Sequence, residues 1–235
     1  MMGGFQPLRV LWCCIRRLTG RRSNESSGDV HLEMLAEQRQ ILVPSRLRVV
    51  GPFDLQFHQL PDHQLRLSAS SQAQLQAVST VVSQGTLVIE VDPGAHHAFE
   101  HQGRVVVGIA APQIAGVAAG GDAIVSIADI DVDALEIHGA DSSEVSAGGR
   151  CRHLTVSAGG MSSIDCEALV TSQADCHITK NASCRTFALD SIRAQVSGHA
   201  SLAIGGRPRR EEIAIADDGY VSRLWGAAGE GLVSR

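Results

Sequence analysis

Leu135-Glu-Ile-His-Gly-Ala-Asp-Ser-Ser-Glu-Val145 and Leu154-Thr-Val-Ser-Ala-Gly-Gly-Met-Ser-Ser-Ile164 are two copies of one unit. In each, two apolar residues alternate, a bend of small residues follows, and a second short strand begins. The unit also appears as Ile114-Ala-Gly-Val-Ala-Ala-Gly-Gly-Asp-Ala-Ile-Val-Ser-Ile127 and as Ala194-Gln-Val-Ser-Gly-His-Ala-Ser-Leu-Ala-Ile204. A weaker copy is Leu169-Val-Thr-Ser-Gln-Ala-Asp-Cys-His-Ile178, where Gln173-Ala-Asp stands for the glycine bend. The turn glycines Gly120, Gly139, Gly159 and Gly198 lie 19, 20 and 39 residues apart, so the period is near twenty. One such unit cannot bury its apolar side alone, and stacking places like side chains over like. The expected fold is therefore all-β: a single-stranded parallel β-helix, or β-solenoid. Right-handed winding is expected as the commoner choice for parallel crossovers. A sandwich or barrel is the alternative, but hairpins would show two-residue turn pairs and no twenty-residue register.

Working outward, strand signals extend upstream to about residue 40. Leu47-Arg-Val-Val-Gly-Pro-Phe-Asp-Leu-Gln-Phe-His58 and Gln64-Leu-Arg-Leu-Ser68 alternate, and Leu87-Val-Ile-Glu-Val91 reads as a buried strand. Asp92-Pro-Gly94 is a turn, because proline presets one dihedral and glycine takes the next. Val105 to Gly121 carries no charge, but it holds Pro112, Gln113, five Ala and four Gly. It reads as two buried strands, not as a transmembrane span. The boundaries follow: a basic and polar tail over 1–39, with a short helix within Val30 to Leu42; a solenoid over 40–215; a C-terminal extension over 216–235. Leu8 to Ile15 is a short apolar run broken by Arg9 and followed by Arg16, Arg17, Arg21 and Arg22, the wrong order for a secretory leader. A disordered start is expected. A membrane-surface helix lipidated at Cys13-Cys14 is the alternative.

Composition agrees with thin coils. The 235 residues are 44% hydrophobic and only 3% aromatic, with 24 Gly. The net charge of −5 leaves no nucleic-acid footprint over the whole fold. Among six cysteines no CxxC pair occurs, which speaks against structural zinc. Cys151, Cys166, Cys176 and Cys184 are expected as small interior residues, with one disulfide among them as the alternative.

The opening at Leu47 to Phe57, the following Leu65 to Leu67 and Gln84-Gly-Thr-Leu-Val-Ile-Glu90, the recurrent small-Gly-small bends, and the closing Val196 to Pro208 resemble a known family in that order. It is the putative auto-transporter adhesin, head GIN domain family, and the resemblance covers about residues 40 to 215. It implies a β-helix of bacterial envelope or secreted proteins, with no catalytic residues to carry over. The missing leader leaves a cytoplasmic location open.

Candidate chemistry is sparse. Asp129, Asp131 and Asp133 alternate on one strand face, and three carboxylates suit calcium. The calcium nonapeptide is missing, so a solvated face is expected. His138, His153, His177 and His199 lie in or near bends, and stacked in register they could form a metal-binding ladder. Isolated surface histidines are expected. Arg207-Pro-Arg-Arg-Glu-Glu212 reads as a solvated capping loop past the last coil, or an anion contact. Asp141 and Glu144 would need to be held close, one of them buried, to cleave a glycoside. No nucleophile elbow, phosphate loop or dinucleotide fingerprint is present.

The expectation is a non-catalytic binding, adhesion or scaffold module, with no catalytic, cofactor or metal residues. Its partner would be a protein or a polysaccharide, and a homo-oligomer is open. Two alternatives stand: a polysaccharide-acting β-helix enzyme, and a self-assembling scaffold like the bactofilins. The second needs uncapped ends.

Overall fold

The computed structural model describes residues 34–100 and 102–224. The expectations for Cys13-Cys14 and the arginine-rich start lie outside them. The chain first forms β1 (Leu35–Arg39), β2 (Arg46–Val50), β3 (Phe53–Gln59) and β4 (Gln64–Ala69), then a short helix, α1 (Gln72–Ala77). Next come β5 (Val78–Ser83), β6 (Thr86–Val91), a 3-10 turn at His96–Phe99 and β7 (Val105–Ala111). After β8 (Gly116–Gly120) the strands lengthen into β9 (Ile124–Gly139), β10 (Glu144–Ala158), β11 (Ser163–Ile178) and β12 (Ser183–Val196). Three short strands end the fold: β13 (Ser201–Gly206), β14 (Arg210–Ile215) and β15 (Tyr220–Arg223).

These strands build a parallel β-solenoid with two walls. The first wall runs β6, β2, β8, the later halves of β9 to β12, then β14. The second runs β7, β3, the early halves of β9 to β12, then β13 and β15. Each long strand bends at mid-length and serves both walls. Every second side chain points inward, which is why the apolar alternation appears in the sequence. One interior column stacks Val125, Val145, Ile164, Cys184 and Leu202. Another stacks Ile137, Val156, Cys176 and Ala194, and all nine residues are buried.

The corner between successive coils needs one residue in the left-handed region. Gly121, Asp141, Gly160, Lys180, Gly198 and Asp217 occupy it, at 18 to 20 residue intervals. Backbone bonds tie each corner to the one below: Ser142 N to Gly121 O at 2.9 Å, Met161 N to Asp141 O at 2.7 Å, and Asn181 N to Gly160 O at 2.9 Å. The bend expected at Gln173-Ala-Asp is therefore at Thr179-Lys180-Asn181 instead. Residues 173–175 lie inside β11, in register with both neighbours. The 39-residue gap between Gly159 and Gly198 contains this extra corner.

The N-terminal end is closed by strands of opposite direction. β4 pairs antiparallel with β7, β1 with β4, and β5 with β6. Residues 35–39 are thus a strand, where a helix was expected. The outer edge of β4 offers unpaired backbone groups, and β1 takes them up. Between β4 and β5, α1 lays Leu75 and Ala77 over the end of the core. Gln74, 0% exposed, donates to Gly103 O at 2.8 Å and accepts from Ser70 Oγ at 2.8 Å. Arg39 donates to Val78 O, Thr80 Oγ1 and Leu75 O, joining β1 to β5 and α1.

At the other end the coil continues further than expected. Arg210–Glu212 are not a capping loop but the start of β14, paired with Ser191–Arg193 of β12. β15 then stacks on β13, so residues 220–223 belong to the solenoid as well.

Candidate functional site

An open cleft of about 730 Å³ lies on the outside of the second wall. It follows the mid-length bends of three successive long strands. β9 contributes Ile127, Ala128 and Asp129, β10 contributes Ser146 to Gly149, and β11 contributes Asp165, Glu167 and Ala168. A smaller hollow of about 260 Å³ adjoins it, shares Ser146 and Asp165, and adds Ile124, Glu144 and Ser163.

The bends explain the concavity. At Asp129, with φ 55°, β9 leaves the second wall for the first. At Gly149, with φ 125°, β10 does the same, and the ladder register shifts between Ala147 and Gly149. A Cβ at Gly149 would lie 2.1 Å from Ile130 O, so only glycine fits between these coils. Small residues at 147–149 and Ala168 leave the floor low. Asp165 Oδ1 accepts from Glu167 N at 3.0 Å and fixes the bulge in β11. Arg185, one coil further along the same column, places its guanidinium 3.7 Å from Asp165. Ser146 Oγ and Ser126 Oγ are 3.2 Å apart, in the same outward column as Asp165. Asp129, Glu167 and Glu144 are exposed, and Asp165 is partly so.

Because the strand turns at Asp129, the three alternating aspartates do not share one face. Asp129 lines the cleft. Asp131 and Asp133 belong to the first wall, where the Asp131 amide donates to Gln59 Oε1 at 2.8 Å and Asp133 lies 3.4 Å from Arg152. Asp141 and Glu144 also part company. Asp141 sits at a corner and accepts from Gly121 N at 3.0 Å, while Glu144 faces outward on the second wall.

The histidines form no ladder. His138 and His177 share one column with Ser157 between them, while His153 stands in another column, between Ala134 and Gln173. His199 is 3.3 Å from Asp218. His138 bonds Glu136 at 2.8 Å, and Arg46 bonds the other oxygen of Glu136 at 2.8 Å. The Arg46 bond first, and the His138 bond second, hold the Glu136 carboxyl below its ordinary value. Among the described residues no group of three or more His, Cys, Asp and Glu has the geometry to hold a metal ion.

Cys151, Cys166, Cys176 and Cys184 are free and buried inside the coils, away from the cleft. Burial raises the Cys166 and Cys151 thiols. A hydrogen bond with Cys176 raises Cys184 first, and burial adds to it. Protonated and enclosed, such thiols do not act as nucleophiles. Sequence reasoning missed the central cleft residues Ser146, Asp165 and Glu167. The available signal was the spacing of Ser126, Ser146, Asp165 and Arg185, which places them in one outward column.

Comparison with known proteins gives the family and the fold. No curated protein matches the chain. A crystal structure described as a putative adhesin from Bacteroides fragilis aligns with a TM-score of 0.61 at 14% identity, over 82% of this chain and 97% of that one. Two from Parabacteroides distasonis align less closely, each over 97% or 96% of its own length. One is a putative adhesin, with TM-score 0.46, 16% identity and 82% of this chain covered. The other is a putative lipid binding protein, with TM-score 0.45, 13% identity and 81% covered. No described helix is long and apolar enough to cross a membrane. The family model for "Putative auto-transporter adhesin, head GIN domain" matches residues 44–208, which span β2 to the end of β13, and the chain belongs to that family.

Proposed function

We propose that this chain is a non-catalytic contact module of adhesin type in the bacterial envelope, and that the outer cleft of the second wall receives its ligand. The observation that carries the reading is the cleft itself, an open hollow of about 730 Å³ on a rigid parallel ladder. Its floor of Gly148, Gly149 and Ala168 permits close approach, and Ser146, Asp129, Asp165 and Glu167 supply polar groups around it. Such a surface suits a ligand rich in hydroxyl or amine groups, a polysaccharide or a protein segment.

The direct test is retention of the purified full chain on an array of bacterial glycans, followed by calorimetry on whichever polysaccharide binds. Asp165→Lys and Ser146→Arg should each weaken binding by about tenfold or more. Unchanged affinity in both would overturn the assignment of the cleft. Fractionation of cells with a C-terminal tag tests the location, and recovery only in the cytoplasm would sink the envelope role.

One observation favours a second reading, a polysaccharide-acting enzyme: Asp165 and Glu167 line a single hollow, and Asp165 lies 3.7 Å from the Arg185 guanidinium. Release of reducing ends from the bound polysaccharide, abolished by Asp165→Asn, would establish it in place of the first.

A further inference from the structure

The last coil departs from those beneath it at its interior positions. Glu211 of β14 stands above Ile192, in a column that holds Leu135, Leu154 and Ala174 in the coils below. Arg223 of β15 stands above Ile204, with Thr186 below that. Ile192 and Ile204 are 2% and 0% exposed, so both charged residues occupy positions that elsewhere face the core. Arg223 Nη2 donates to Glu211 Oε2. Their side chains are 38% and 32% exposed, and the pair joins the two walls across the end of the core. Ile213 and Val221, on the same two strands, pack partly buried against the core.

Among the described strands, β14 pairs only with β12 and β15 only with β13. Their outer edges carry backbone donors and acceptors with no strand partner, a template for another coil. A second copy of this chain offers a matching edge: two C-terminal coils related by a two-fold axis would pair their strands antiparallel. The N-terminal end, closed by the antiparallel β1, β4 and β5, offers no equivalent parallel coil. Contact between two C-terminal ends would strip water from the Glu211–Arg223 pair, a desolvation cost that charges already paired with each other recover only in part.

We propose that the Glu211–Arg223 pair is an end cap that keeps a second copy of this chain from docking on the C-terminal coil. This stands independently of the cleft and its ligand. The experiment compares the full chain with Glu211→Leu/Arg223→Leu and with the exchanged pair Glu211→Arg/Arg223→Glu, by light scattering after size exclusion. Over about 1 to 100 μM the unaltered chain and the exchanged pair should remain monomers. The leucine pair should shift to dimers, with a dissociation constant lower by about tenfold or more. A leucine pair that stays monomeric over the same range overturns the proposal, as does an exchanged pair that dimerises like it. An unaltered chain whose amides at 210–215 gain exchange protection with concentration overturns it too, because that end would already be occupied. If the leucine pair does not fold, Glu211→Gln/Arg223→Gln is read by the same measurement, and monomers there count against the cap.

Discussion

Replacing Gly149 by alanine should be among the most damaging single-methyl changes in the protein. Two costs combine there. The backbone has φ 125°, a region that L side chains rarely adopt, and such strain costs about 1–3 kcal/mol. The new Cβ would also sit 2.1 Å from Ile130 O and 2.6 Å from Ile130 N, both of them backbone atoms of the neighbouring coil. Neither can rotate away, so the coils must part, and overpacking of this kind costs about 1–3 kcal/mol more. The expected loss is about 2–6 kcal/mol. Two reference variants separate the terms. Gly85 has φ 73° but nothing within 4 Å of an added Cβ, so Gly85→Ala should cost only about 1 kcal/mol. Gly103 has neither feature, and Gly103→Ala should lie within about 0.5 kcal/mol of the unaltered chain. Urea titration followed by circular dichroism measures all three. Amide exchange at residues 130–151 reports the same ranking locally, since coil proteins can unfold in parts. If Gly149→Ala falls within about 1 kcal/mol of Gly85→Ala, the contact between coils is softer than argued and the reasoning fails.

Three further outcomes follow from buried or half-buried groups. The Thr186 hydroxyl is buried without a hydrogen-bond partner, so Thr186→Val should raise stability by about 1 kcal/mol, and a lower urea midpoint would contradict this. Burial raises the Asp54 carboxyl, with Arg104 and Gln56 partly opposing the shift. The folded state therefore holds this proton more firmly than the unfolded chain does. Stability from this group is greatest below its ordinary value of 3.8 and declines as pH rises through the higher folded value. Asp54→Asn should then stabilise at pH 7, by up to about 1 kcal/mol, and flatten that decline; equal losses at pH 4 and pH 7 would contradict the sign. Cys151, Cys166, Cys176 and Cys184 should resist iodoacetamide at pH 8 until denaturant is added. Peptide mass spectrometry would detect the exception, and rapid native labelling of Cys166 would refute its enclosure.

The regular part of the solenoid was readable because interior side chains alternate and repeat: Leu135, Leu154 and Ala174 lie one above another at the period seen in the chain. The corner at Lys180 was not readable, since a lysine with φ 63° is held there by the coil beneath and not by its own preference. The bend at Asp129 was hidden for a related reason. The inward set changes phase there, from Val125 and Ile127 to Ile130, but the regular spacing of Asp129, Asp131 and Asp133 masks the shift. The cleft depends on that bend, and on Gly148-Gly149, so it shared the same concealment. β1 owes its extended form to an open edge on β4, a partner about thirty residues away that a local reading of Val30 to Leu42 does not include.

The placement of β2 and β3 has a consequence for how the protein comes to be folded. β2 lies between β6 and β8, and β3 between β7 and β9, so the earliest parallel strands end up flanked by segments synthesised later. Emerging from a ribosome, they have no seat until residues near 128 are available, whereas each later coil can settle directly on its predecessor. The amino-terminal half should therefore assemble and come apart as one long-range unit, and the opposite end should peel away coil by coil.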